Sequence, residues 1–80
     1  MAEESKSLDP RLKQIGERLQ ELRKAKGYTN YEQFAFEAGI ARAQYYRYEQ
    51  GQDLRISSLL KVLDALEITP GEFFSPLPNL

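Results

Sequence analysis

The sequence predicts an all-α fold, a compact five-helix bundle. Three observations predict it. No stretch alternates apolar and polar residues with the period of two that a half-buried strand needs. Apolar residues recur instead three and four apart in successive segments. Gly27, Gly39 and Gly51 punctuate those segments.

The spacing predicts a first helix from Pro10 to Lys26. Asp9 is a good N-cap, and Pro10 suits the first helical position. Leu12, Ile15, Leu19 and Leu22 make its apolar stripe. Arg23, Lys24 and Lys26 crowd the last turn, where they complement the helix dipole. Gly16 in mid-helix implies close packing by another helix. Glu17 and Glu21 are expected to form surface ion pairs with Lys13 and Lys24. Arg23 falls inside the apolar stripe, and Glu49 leans to the inner side of the third helix. Inward charges need partners, so these two are expected to meet.

A second helix is predicted from Tyr31 to Ala38, with Phe34, Ala35 and Ala38 on one face. Its capping box is either Asn30 with Gln33 or Thr29 with Glu32. A third helix follows from Arg42 to Gln50. The fourth, Ile56 to Leu66, is expected to bury Ile56, Leu59, Leu60, Leu63 and Leu66. The fifth is a short turn, Pro70 to Phe74. Thr69 caps it, Glu72 completes a capping box, and Ile68 with Phe73 fits a hydrophobic staple. The organisation is then a polar N-terminal arm over 1–9, a domain over 10–74 and a proline-containing tail over 75–80.

Several function classes are excluded at this level. Cysteine and histidine are both absent, so no metal site of the His/Cys type and no His-based triad can form. The glycines match no phosphate-binding loop. No cofactor, metal or enzymatic activity is expected. No apolar run approaches the ~20 residues of a membrane span, and the first residues lack a hydrophobic export signal. A cytoplasmic protein with no membrane partner is expected. The net charge is −1, yet its distribution is uneven. Residues 11–26 carry six basic groups against two acids, and residues 27–80 four against seven. Local field matters more than the sum.

The link between the second and third helices is the most informative stretch. Only Gly39, Ile40 and Ala41 separate them, and a glycine free to adopt positive φ turns the chain sharply there. On a wheel of the third helix, Tyr45 and Tyr48 point inward. Ala43, Tyr46, Arg47 and Gln50 point outward, with Arg42 at the edge. Arginine, glutamine and tyrosine are groups that read base edges or grip phosphates.

From Ile15-Gly16-Glu17-Arg18-Leu19 to Gly27, through Phe34-Ala35, Ala38-Gly39-Ile40, Tyr45 to Gly51, Leu59 to Leu66 and Thr69 to Phe74, the chain resembles the Cro/C1-type (XRE-like) helix-turn-helix regulators. The resemblance covers residues 12–74 and implies a lambda repressor-like DNA-binding domain. It implies that Arg42, Ala43, Gln44, Tyr46 and Arg47 face DNA in the major groove. It places Asn30 and Tyr31 at a phosphate near a helix N-terminus, and Arg55 at another. Tyr31 stands where the family usually has glutamine. Ala41 stands where it has serine or threonine, so the third helix lacks a side-chain cap. Asp53 lies in a loop that usually carries a basic pair.

The expected function is sequence-specific binding of double-stranded DNA by a transcriptional regulator, a repressor, acting as a homodimer on two half-sites. The dimer surface is expected in the fifth helix and tail, at Phe74, Leu77 and Leu80; the other course for Leu77 and Leu80 is packing on the protomer's own first or fourth helix. The alternative is an antitoxin or adaptor whose main partner is another protein, a toxin or a second regulator, met through the acidic side of the fourth and fifth helices.

Overall fold

The computed structural model describes residues 9–77 and Leu80. The first eight residues of the expected arm, and Pro78 and Asn79 of the tail, lie outside the described residues. Five helices follow in order: α1 (Pro10–Ala25), α2 (Tyr31–Ala38), α3 (Arg42–Glu49), α4 (Ile56–Leu66) and α5 (Pro70–Phe74). No strand occurs among the described residues, and no helix there is long and apolar enough to cross a membrane. The most extensively packed pairs are α1 with α3, α2 with α3, α2 with α4, and α4 with α5.

Local chemistry sets each boundary. The Asp9 carboxylate accepts the Arg11 N–H at 2.9 Å and opens α1. The hydrogen bonds and charge of Arg11 hold the Asp9 carboxyl down at about 2. Asn30, not Thr29, caps α2, accepting from the Glu32 and Gln33 N–H groups at 2.7 and 3.4 Å. Gly39 ends α2 at φ 75°, a left-handed conformation that glycine adopts without the penalty of a Cβ. No side-chain bond caps α3 at Ala41. Helices α1 and α3 each end one residue before the expected place, with Lys26 and Gln50 as their C-caps. The α5 capping box forms in full: the Glu72 N–H reaches Thr69 Oγ1 at 3.1 Å, and the Thr69 N–H reaches Glu72 Oε1 at 2.9 Å.

The core comprises Leu19, Phe34, Ala35, Ile40, Tyr45, Tyr48, Leu59, Val62, Leu63, Leu66 and Phe73. Aromatic rings run through it, with Tyr28, Phe34 and Tyr45 at successive centroid distances of 5.2 Å. Gly16 lies under the C-terminal turn of α3. A Cβ built there would stand 2.5 Å from the Tyr48 carbonyl oxygen and 2.7 Å from that of Glu49. Only a glycine lets the two backbones approach this closely.

The α4 stripe differs from the expectation. Ile56 and Leu60 are 68% and 43% exposed, while Val62 is buried. The inward face is Leu59, Val62, Leu63 and Leu66, and at 3.6 residues per turn Leu60 falls roughly 100° round from Leu59. Ile56 opens the helix and stays outside the core.

The tail takes one of its two expected courses. Phe74 and Leu77 pack against the protomer's own core, and the Leu77 N–H returns to the Phe74 carbonyl at 3.0 Å. Both remain partly exposed, and Leu80 is 39% exposed.

Most of the basic cluster of α1 serves to hold the fold. Arg11 is bonded to Asp9. Arg18 donates to the Phe73 and Glu72 carbonyls at 3.1 and 3.3 Å, satisfying acceptors at the end of α5. Lys26 meets Glu67 at 2.6 Å. Glu67 ends α4 at φ 59°, a left-handed position without a glycine. The surface pairs expected for Glu17 with Lys13 and Glu21 with Lys24 are not among the observed ion pairs. Arg18 holds Glu21 instead, at 3.7 Å.

Candidate nucleic-acid interface

The surface begins with what fixes α3 from behind. Arg23 Nε donates to Glu49 Oε2 at 2.7 Å, and Arg23 Nη2 donates to Oε1 at 3.2 Å. Arg23 Nη1 donates to the Tyr28 carbonyl at 2.7 Å, and the Tyr45 hydroxyl donates to Glu49 Oε2 at 2.5 Å. Arg23 and Glu49 are only 3% and 7% exposed. Bidentate geometry and these further bonds compensate the desolvation of both charges. Burial, then the bond to the Glu49 carboxylate, pushes the Tyr45 hydroxyl far above the usual tyrosine range. The same carboxylate raises the Arg23 guanidinium. Tyr48, the next inward tyrosine, has a buried hydroxyl with no hydrogen-bond partner.

With its inner face held, α3 turns Arg42, Ala43, Gln44, Tyr46 and Arg47 to the outside, all of them exposed. Two of the five are engaged by α2. Arg42 Nη1 lies 3.2 Å from Glu32 Oε2. The Tyr46 ring meets that of Tyr31 at a centroid distance of 5.1 Å and a tilt of 40°. Tyr31 is half-buried, and its ring is directed at α3. Asn30 is exposed, but its side-chain oxygen already takes two of the N–H groups at the head of α2. Those amides are the donors an anion at a helix N-terminus would use.

Arg55, just before α4, comes next to Arg47. The two line an open cleft of about 250 Å³ with Gln44, Tyr48, Asp53 and Leu54. Two guanidinium groups and an amide suit a phosphate there. Asp53 weakens the local positive field, and one of its oxygens accepts the Leu54 N–H at 2.9 Å. The Arg42–Glu32 pair and the Tyr31–Tyr46 contact were not foreseen from the sequence. Each joins residues that linear spacing keeps apart, and only the crossing of α2 over α3 unites them.

A short helix, locked on one side and lined with exposed hydrogen-bonding side chains on the other, with a second helix set across it, defines a helix-turn-helix protein. Residues 19–73 match the family model described as helix-turn-helix. The chain belongs to the Cro/C1-type helix-turn-helix family of DNA-binding transcriptional regulators. Among solved structures it is similar to the restriction-modification controller protein C.AhdI from Aeromonas hydrophila. The two are 39% identical with a TM-score of 0.76, and the match covers 82% of this chain and all of that one. A comparison with curated proteins gives no match.

Proposed function

We propose that this protein reads a specific double-stranded DNA site as a homodimer, each protomer placing α3 in a major groove, and controls transcription from that site. The outward residues Arg42, Ala43, Gln44 and Tyr46, on a helix whose inner face is locked by Arg23–Glu49, carry the reading. Arg47 and Arg55 grip phosphate at the rim of the groove, and Asn30 and Tyr31 flank the same surface at the head of α2. Likeness to C.AhdI suggests genes of a restriction–modification system as targets. Repression by occupying the promoter is the simplest mode, since a helix in the groove excludes other proteins from it. Ile56 and Leu60, one turn apart on the exposed side of α4, are the apolar surface offered to the second copy.

The test is a fluorescence-anisotropy titration of the duplex upstream of the protein's own gene, against random duplex, at two salt concentrations. Specific DNA should bind about 10³-fold or more tightly than random DNA, and random binding should weaken steeply with salt. In-vitro transcription from the same duplex gives the sign of regulation. Equal affinity for both duplexes would refute sequence-specific reading. Absence of binding at either salt would favour the antitoxin or adaptor role. Ile56→Lys with Leu60→Lys should shift sedimentation equilibrium toward monomer.

A further inference from the structure

We propose that Glu32 is a positioning residue for base reading: its carboxylate holds the Arg42 guanidinium in the orientation that takes guanine in the major groove. The proposal rests on the DNA-reading function above and names how that surface discriminates.

Arg42 occupies the first position of α3, and its side chain is 72% exposed. An unrestrained arginine there would sample many rotamers and lose that freedom on binding. Glu32 is well placed to restrain it. Its backbone is pinned by Asn30 Oδ1, which takes the Glu32 N–H at 2.7 Å. It lies in the first turn of α2, where the helix dipole favours a carboxylate. One oxygen then meets Arg42 Nη1 at 3.2 Å. A guanidinium has five N–H donors in a planar fork. One is engaged by Glu32, and the others have no protein partner among the described residues. Guanine offers two acceptors, O6 and N7, side by side in the major groove, and that fork matches them.

The same carboxylate makes Arg42 a poor phosphate ligand. A paired cation offers little net charge to a phosphate, and the acid itself repels one. Arg47 and Arg55 form no ion pair among the described residues. The arginines divide accordingly: Arg47 and Arg55 grip the backbone, and Arg42, steered by Glu32, reads a base.

The test is selection of bound duplexes from a randomised pool by the full chain, followed by sequencing. Wild type, Arg42→Ala, Glu32→Ala, Glu32→Gln and the Arg42→Ala/Glu32→Ala double variant are compared, with circular dichroism melts to confirm folding. Wild type should enrich guanine at one position in each half-site, by roughly tenfold or more over other bases. Arg42→Ala should lose the preference at that position alone. Glu32→Ala should reduce it there to about threefold or less, and Glu32→Gln, whose amide oxygen still accepts, should fall between. The double variant should be no worse there than Arg42→Ala. If Glu32→Ala keeps the guanine preference and binds every sequence more tightly by the same factor, Glu32 acts only as a negative charge and the proposal is wrong. If Glu32→Ala fails to fold, Glu32→Gln decides between the same two results. A wild type that enriches no motif refutes the DNA-reading function itself, and this proposal with it. A wild-type motif that Arg42→Ala leaves unchanged refutes the proposal alone.

Discussion

Glu49→Leu should be among the most damaging single substitutions in this chain. It leaves the Arg23 guanidinium 3% exposed with one remaining bond, to the Tyr28 carbonyl. It also strips the Tyr45 hydroxyl of its acceptor. A lone buried carboxylate can shed its charge by taking up a proton, but a guanidinium cannot give one up. Removing the acid is therefore harsher than removing the base. Breaking a buried pair from one side costs about 3–5 kcal/mol. A domain of this size has a total stability of roughly 4–12 kcal/mol, so the loss is about a quarter of the total or more. The loss corresponds to a fall in Tm of at least ~12 °C. Arg23→Met with Tyr45→Phe and Glu49→Leu removes charges and orphaned hydroxyl together, and should recover most of the loss. Urea denaturation followed by far-ultraviolet circular dichroism gives both numbers, run at several protein concentrations because dimerisation adds to apparent stability. A Glu49→Leu variant within about 1 kcal/mol of wild type would show that the pair is not a buried charge network. A triple variant no better than the single one would place the damage in packing instead.

Gly16→Ala should destabilise by about 1–3 kcal/mol, because its Cβ would meet two α3 carbonyls at 2.5 and 2.7 Å and overwhelm the helix-propensity gain; thermal melts check this. The raised Tyr45 hydroxyl has a signed consequence. A group whose folded pKa lies above its unfolded value stabilises fully below the unfolded value and loses that contribution as pH rises. Stability should hold to near pH 9 and decline above about 10, and the decline should be shallower in Tyr45→Phe. Urea midpoints across the alkaline range read the difference, and parallel curves for the two proteins would contradict it.

The fold was legible where the sequence carries its own punctuation. Asp9-Pro10 and Thr69-Pro70-Gly71-Glu72 state helix starts in local chemistry, and α1, α2, α4 and α5 begin where those signals and the apolar spacing put them. Arg23 and Glu49 were legible because a charge on an apolar stripe demands a partner. Periodicity identifies a helix's apolar residues, but not where the neighbouring helix stops covering them. Ile56 and Leu60 therefore read as core and lie outside it. Glu67 gives no sign of ending a helix at positive φ, since that task usually falls to glycine. The partners of Arg18 and Lys26 come from distant segments, so a basic cluster on paper becomes a set of tethers in the folded chain. On the interface, the outward row of α3 follows from a helical wheel. What α2 does to it does not, because the contacts depend on how two helices cross.

The contact of Tyr31 with Tyr46, beside the pair Glu32–Arg42, bears on how specificity could be exchanged between relatives. Substituting exposed residues usually changes stability little, so α3 invites transplantation of its outward side chains alone. Here such a graft would strand two neighbours. Tyr31 would lose the ring it leans on, and Glu32 would lose its ion-pair partner. On the proposed reading, the portable unit is a patch spanning two helices: the five outward residues of α3 together with Tyr31 and Glu32. Chimeras that move all seven should carry their DNA preference with them, and those that move only five should bind their new site poorly.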